Sequence, residues 1–373
     1  MKVAVLVSGG VDSSVALAVL KQQGYEPTAF YLKIWLEDEL SFLGSCPWQE
    51  DLEYARAVCE QLEVPLEVMS LQREYHETVV AYTIAQVRAG RTPNPDILCN
   101  SRIKFGFFLD RVMDDFDAVA TGHYAQVERG GRHVRLLQAP DPVKDQTYFL
   151  SHLTQQQLAK VLFPIGHLDK AAVRELAHEF NLPTKGRKDS QGICFLGKLK
   201  FSEFLKCHLG ERPGEIREHE TGHVLGEHRG FWFYTIGQRQ GLRLAGGPWY
   251  VVAKDPEQNI VYISRSYYAA DKQRDNCVVG GINWINEPSL PTDELRVKIR
   301  HGAQSYGCQV RPEDGCVHLM LDEHDQGLAV GQFAVFYRGA ECLGGGTIEH
   351  ASQESVEPTF SRLRTGGTLE SGE

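Results

Sequence analysis

Apolar residues from Val3 to Val7 form an unbroken run, a Gly pair follows, and Val15, Leu17, Ala18 and Leu20 then share a stretch that closes at Gly24. A short apolar run bounded by glycine reads as a buried strand, and the spacing after it as a helix, so the chain opens strand, loop, helix. The runs Thr28 to Ile34 and Val64 to Leu71 predict two more strands, separated by a helix whose Leu52, Ala55, Cys59 and Leu62 lie on one face. Ala118 to Thr121 predicts a fourth strand. Strands that are apolar throughout are buried on both faces. Their alternation with helices as far as about Lys200 therefore predicts an α/β domain over residues 1–200, with a doubly wound, mainly parallel sheet and a ligand site beyond the carboxyl ends of its strands.

Past about Lys200 the period changes. Trp249 to Ala253 and Ile260 to Ser264 flank a turn at Asp255 to Gln258, which predicts a small β-rich domain over 201–272. Leu295, Val297 and Ile299 alternate, as do Val317, Leu319 and Leu321, and Phe333 to Tyr337 gives a last strong strand. Several short strands of this kind predict a β-barrel domain over 273–352. The tail 353–373 is poor in apolar residues and is expected to be disordered. There is no internal repeat.

The chain has 373 residues, 42% of them hydrophobic and 24% charged, and no apolar run approaches the roughly 20 residues needed to span a bilayer. No membrane association is expected. The first strand is too short for a signal-peptide core, and nine cysteines are an odd number scattered through a long chain, so reduced thiols and a cytoplasmic location are expected. A net charge of −10 argues against gripping nucleic acid by bulk electrostatics. Between Lys185 and Lys200, however, Lys185, Arg187, Lys188, Lys198 and Lys200 face only Asp189, a balance of 5 − 1 = +4, so the field can be locally positive.

The segment Ser8-Gly9-Gly10-Val11-Asp12-Ser13-Ser14 lies between the first strand and the first helix, where backbone N–H groups and the helix dipole favour an anion. The two glycines let the backbone approach phosphate oxygens, and Ser8, Ser13 and Ser14 offer hydroxyl donors. Asp12 would repel phosphate unless a cation intervenes, which makes it a candidate Mg²⁺ ligand, direct or through water. The string lacks the Gly-Lys-Ser/Thr ending of a Walker A loop and is not a G-x-G-x-x-G fingerprint. It resembles the SGGxDS loop of the PP-loop ATP pyrophosphatases, which cleave ATP between its α and β phosphates to adenylate a substrate.

Two cysteines stand in chemical settings. Cys99 follows Thr92-Pro93-Asn94-Pro95-Asp96-Ile97-Leu98 and precedes a helical stretch with Phe105, Phe108, Leu109 and Val112. The helix dipole, Arg102 and Lys104 are expected to favour its thiolate, and Asp96 is placed to move protons or to hold a pyrimidine edge. Cys194 lies in Lys188-Asp189-Ser190-Gln191-Gly192-Ile193-Cys194-Phe195, within the basic segment. Cys59, Cys207, Cys277, Cys308, Cys316 and Cys342 read as small buried apolar residues. No C-x-x-C pair suggests zinc.

The strings SGGVDSS, NPDILCN, ATGHYA, KDQTYFL, KDSQGICF, TIGQRQGL with PWYVV, and CLGGG run in that order to about Glu349, and together they resemble the tRNA-specific 2-thiouridylase family. The resemblance implies Cys99 as nucleophile and Cys194 as the persulfide carrier, the two closing a disulfide when sulfur leaves. It implies that Leu6, Val7, Ser8, Gly9, Gly10, Val11, Asp12, Ser13, Leu32 and Gly122 line ATP. It further implies that Asn94, Pro95 and Asp96 touch the target base, that Lys144, Asp145, Gln146, Arg300 and His301 contact tRNA, and that His123 and Gln332 serve recognition. The expected substrates are the tRNAs for lysine, glutamate and glutamine, and the expected sulfur source is a donor such as a cysteine desulfurase or a relay protein. The stretch Trp35 to Trp48 departs from the family pattern, which leaves Cys46 without a role and suggests a loop over the site.

Three other readings compete. An iron–sulfur cluster held by Asp96, Cys99 and Cys194 would bind sulfide at an open iron. An ammonia-using amide ligase of the same superfamily would need neither cysteine nor tRNA. An RNA-binding module that keeps the fold without the chemistry would release no pyrophosphate.

Overall fold

The computed structural model describes residues 1–34, 47–188, 200–288 and 294–352. Cys46, Cys194 and the tail from Gln353 fall outside the described residues.

The first sheet takes β1 (Lys2–Leu6), β2 (Glu26–Lys33), β3 (Leu66–Ser70), β4 (Ala118–Ala120) and a short strand at Val161–Leu162 in the order β3, β2, β1, β4, Val161–Leu162, and each pairing is parallel. Successive side chains of a strand point to opposite faces. Val3, Val5 and Val7 accordingly join one core, and Ala4 and Leu6 another. On the first face α1 (Val11–Gln22) is buried from Val11 to Leu20 apart from Asp12, packed with α2 (Pro47–Gln61), through Leu52, Ala55 and Val58, and with α3 (Lys170–Glu179), through Val173 and Ala177. The opposite face is covered by the helical residues that run from Gln72 to Arg88 and from Pro95 to Val112. The doubly wound α/β expectation therefore holds, with strand boundaries displaced by one or two residues.

The chain leaves β1 for β2 and β3 on one side and later returns to β4 on the other, so the strand order reverses between β1 and β4. In open parallel sheets that switch point, at the carboxyl ends, is where ligands bind. Here it opens onto residues 7–10 and 121–124.

Residues 214–264 build a four-stranded mixed sheet around Ile216, Phe231, Trp249, Val251 and Ile263. It touches the first domain: a Cβ on Gly90 would fall 2.5 Å from Pro256 Cγ, in the turn between the strands at Tyr250–Asp255 and Ile260–Ser264. The strands from Asn276 to Ser352 form a six-stranded barrel, closed by the pairing of Asn276–Trp284 with Glu341–Ser352.

A hairpin of the first domain, Ala125–Glu128 with Arg135–Gln138, does not pair with the parallel sheet at all. It extends the barrel's sheet, with Leu136 opposite Cys342 and Leu137 opposite Glu341. One hydrophobic core runs from Ala4 and Phe30 through Leu136 to Val335, Tyr337 and Cys342. A fully buried side chain of this size contributes about 1.5–3 kcal/mol. A continuous core of them makes this joint rigid rather than a hinge.

Candidate functional site

The segment after β1 closes on its own hydroxyls. Ser8 N donates to Ser13 Oγ at 3.2 Å, Ser13 Oγ donates to the Gly10 carbonyl at 3.2 Å, and Ser14 Oγ donates to the same carbonyl at 2.7 Å. Gly9 sits at φ +70°, and a Cβ there would collide with the Asp51 carbonyl of α2, so both its conformation and its surroundings demand glycine. Gly122, after β4, approaches from the other side: a Cβ on it would lie 2.7 Å from Asp12 C and Ser13 N. The residues expected to line ATP in these two loops, Ser8 to Ser13 and Gly122, thus meet at the switch point. Leu6 ends β1, buried Val7 bonds to Phe30 O at 2.9 Å, and Leu32 lies near the end of β2.

Asp12 occupies the first turn of α1. Its Oδ1 accepts from Tyr124 Oη at 2.8 Å and from Lys170 Nζ at 2.6 Å. Lys170 offsets the charge of this half-buried carboxylate, so Asp12 could hold Mg²⁺, with its waters and the substrate phosphates, only when Lys170 leaves Oδ1. Tyr124 N donates to Gln146 Oε1 at 3.0 Å while Gln146 N donates to Tyr124 O at 2.9 Å. Gln146 is thereby tied to the phosphate loop through Tyr124 and Asp12.

Arg187 donates to Gly9 O at 2.6 Å and to Asp51 Oδ1 at 2.8 Å, and lies 4.3 Å over the Tyr54 ring. It is an internal strut. Of the cations counted between Lys185 and Lys200, this one sets its charge against Asp51, and its side chain is only 20% exposed.

Cys99 also departs from expectation. Its helix begins earlier, at Pro95, with Asn94 as cap accepting from Asp96 N at 3.1 Å, so Cys99 stands beyond the first turn and gains little from the dipole. The thiol is buried, and burial pushes its pKa up to about 11, against a smaller downward pull from Lys104 and an upward one from Asp96. The resting form is the thiol. Asn100 beside it accepts from Lys104 Nζ at 2.9 Å and donates to Phe149 O at 3.3 Å.

The barrel supplies the rest. Thr92 N donates to Val330 O at 2.8 Å, so the Asn94 to Asp96 segment is held by the barrel loop that leads to Gln332. Gln332 Oε1 accepts from Ala329 N at 2.9 Å. His301 stacks on Phe149 with centroids 4.5 Å apart and donates from Nε2 to Asp145 O at 3.1 Å, and Asp96 adds to its field. Arg300 is half exposed and pairs with Asp325. The Asp145 side chain is fully buried, paired with Lys298 Nζ at 3.1 Å and bonded to Thr147 and Gln138. It holds the joint between domain and barrel, so any part it plays in an RNA contact is indirect. Lys144 lies beside it, half-buried, in a turn over Asp141. His123 bonds Thr121 Oγ1 at 2.7 Å and packs against Phe105 and Phe163; burial drives its pKa well below the usual histidine value, so the ring is neutral.

Among the described residues His219, Glu220 and Asp271 could converge on a metal, but Lys272 Nζ bonds both carboxylates at 2.7 Å and takes the place between them that a cation would fill. Sequence reasoning missed Lys170, Tyr124 and Phe149, and did not see Arg187 as a strut. Tyr124 was visible inside ATGHYA, and Asp169 before an apolar-periodic stretch signals a helix start at Lys170. Nothing in the sequence says that this helix lies against Asp12.

A parallel sheet with a Ser-Gly-Gly phosphate loop at its switch point, joined to a small β domain and a closed barrel, defines a PP-loop nucleotide-binding enzyme with two β appendages. Family models match all three parts: the tRNA methyl transferase HUP domain over 1–198, the tRNA methyl transferase PRC-barrel domain over 202–265, and the aminomethyltransferase β-barrel domain over 274–348. The chain is 45% identical over 354 residues to the tRNA-specific 2-thiouridylase MnmA of Parabacteroides distasonis, covering 93% of this chain and 99% of that one. It is 44% identical over 359 residues to the protein of that name from Porphyromonas gingivalis, with the same coverage. Solved structures are more distant: NMN synthetase from Francisella tularensis aligns with a TM-score of 0.34 and 18% identity over 54% of this chain and 71% of that one, too low to carry an argument. The chain belongs to the tRNA-specific 2-thiouridylase family.

Proposed function

We propose that this chain converts the wobble uridine of tRNAs for lysine, glutamate and glutamine to 2-thiouridine in the cytoplasm, using ATP and a cysteine persulfide. The observation that carries this reading is the match at 45% identity over 93% of the chain to a tRNA-specific 2-thiouridylase. The geometry supports it by setting the phosphate loop at the sheet's switch point and linking the Cys99 segment to the barrel through Thr92 and Val330. Among the described residues no helix is long and apolar enough to cross a membrane.

In the proposed reaction the triphosphate lies on Ser8 to Ser13, and the uridine, flipped from the anticodon loop, meets Asn94 to Asp96. The uracil 2-oxygen attacks the α-phosphorus. The bond to the bridging oxygen breaks, and pyrophosphate leaves with the electron pair. Sulfur from a persulfide on Cys194 then attacks carbon 2, and AMP departs with the carbon–oxygen bonding pair. Cys99 closes a disulfide with Cys194 as the sulfur is handed over, and an external dithiol restores both thiols. Because burial keeps Cys99 protonated, its proton must leave during the reaction, and Asp96 is the carboxylate whose charge reaches it. Mg²⁺, held by Asp12, would shield the phosphates. The persulfide itself comes from a donor such as a cysteine desulfurase or relay protein.

Purified protein with ATP, Mg²⁺, a persulfide source and unmodified tRNA, analysed by nucleoside mass spectrometry, tests this. 2-Thiouridine from wild type and none from Cys99→Ser or Cys194→Ser supports the reading. Pyrophosphate release without 2-thiouridine leaves adenylation but removes sulfur transfer to this RNA.

A further inference from the structure

The phosphate loop Ser8 to Ser14 contains no cation and one anion, Asp12. A Walker A loop carries its own lysine for the β- and γ-phosphates. Here, among the described residues, an ammonium reaches the loop from far along the chain. Lys170 reaches Asp12 Oδ1 at 2.6 Å, its side chain is 16% exposed, and its Nζ lies 5.8 Å from the centre of the Tyr124 ring.

This placement is built, not incidental. Asp169 caps α3 by accepting from Ala172 N at 2.7 Å, Asp141 Oδ2 accepts from Lys170 N at 3.3 Å, and α3 packs on α1 through Val173 and Ala177. The backbone of Lys170 is thus fixed, while its four-carbon stem carries a point charge on rotatable bonds that can redirect it. Arg187, another cation at the loop, is committed to Gly9, Asp51 and Tyr54.

We infer that Lys170 is the cation that binds the β- and γ-phosphates of ATP and stays on the pyrophosphate as it leaves, exchanging Asp12 for phosphate oxygens when nucleotide arrives. The exchange leaves the Asp12 carboxylate to Mg²⁺, so the two cations divide the work: one is held by the loop and one by α3. Tyr124 keeps Asp12 oriented in both states. This rests on the reading of ATP as substrate and extends it to the leaving group.

The test is calorimetric titration of the full chain and its Lys170→Ala and Lys170→Arg variants with a non-cleavable ATP analogue plus Mg²⁺, with pyrophosphate, and with AMP. Lys170→Ala is expected to lose on the order of 10- to 100-fold in affinity for the analogue and for pyrophosphate, the scale of a charge-assisted contact. AMP affinity should change by less than about twofold, because AMP lacks the phosphates in question. Lys170→Arg should recover part of the loss. Equal losses for analogue and AMP would make Lys170 a prop for the loop and overturn the proposal, as would no loss at all. A thermal melt of each variant separates either result from misfolding. Wild type that binds the analogue but makes no 2-thiouridine would sink the proposed function while leaving this inference standing; wild type that binds no nucleotide would sink both.

Discussion

Arg187 Nη1 donates to the carbonyl oxygen of Gly9 at 2.6 Å, tying the phosphate loop to a residue seven positions before Cys194. The same guanidinium bonds Asp51 and stacks on Tyr54, so one side chain joins the loop, α2 and the start of the segment that bears the second cysteine. Arg187→Ala is expected to cost about 1–2 kcal/mol of stability, since these are hydrogen bonds to a mostly buried cation. It should also weaken ATP binding. Arg187→Lys should not rescue either property, because an ammonium cannot reproduce a planar fork that bonds two acceptors while stacking. Urea unfolding and nucleotide titration of the two variants check this; full rescue by lysine would refute the strut.

Gly122→Ala should abolish tight nucleotide binding with the fold intact. The new Cβ would lie 2.7 Å from backbone atoms of Asp12 and Ser13, which cannot move without opening the loop. Relieving such overpacking costs about 1–3 kcal/mol. An ATP affinity unchanged from wild type would show that the two loops do not need this approach.

Asp145 and Lys298 form an ion pair with side chains 0% and 6% exposed, and Lys298 Nζ lies 5.2 Å from the Tyr337 ring centre. Asp145→Ala leaves a buried cation without its counter-charge, a loss of about 3–5 kcal/mol. Adding Lys298→Met should return much of it, since removing both charges is far milder than removing one. Thermal unfolding of the two single variants and the double variant reads this. A double variant no better than Asp145→Ala would count against a simple pair.

Alkaline pH should destabilise the protein. Burial pushes Cys99 and Cys59 up to about 11, and Cys277, Cys308 and Cys342 up to about 12. A thiol whose folded pKa exceeds its unfolded one, roughly 8.5, stabilises the fold fully below the unfolded value. That stability is lost as pH rises through the folded value. Stability should therefore fall from about pH 9 upward, and Cys99 should alkylate slowly at pH 8. Iodoacetamide labelling followed by peptide mass mapping checks the second point; fast labelling of Cys99 would show that its thiolate is accessible at rest.

The alternation of apolar runs and helical faces up to Lys200, and of shorter β patterns after it, was enough to read the parallel sheet and the β-rich remainder. Those signals are local: residues a few positions apart report whether a segment is a strand or a helix and which face it buries. The phosphate loop was legible for the same reason, since Ser8 to Ser14 is one contiguous string between a strand and a helix. Cys99 was legible as a position but not in its protonation state, because its surroundings are assembled from packed elements rather than from its neighbours in sequence.

What only the tertiary structure decided are the contacts between segments far apart in the chain. Lys170 meets Asp12 across 158 positions, and Arg187 meets Gly9 across 178. The hairpin from Ala125 to Gln138, short and without a strong alternating pattern, left its own domain's sheet to extend the barrel, where Leu136 lies opposite Cys342. Five cations against one anion between Lys185 and Lys200 read as a locally positive field, but packing turned Arg187 inward, where a carbonyl, a carboxylate and an aromatic face satisfy its planar cation. Sequence by itself determined the parts and the chemistry they carry; the fold determined which charges face one another, because a Coulomb or hydrogen-bond partner is chosen by distance in space, to which spacing along the chain is blind.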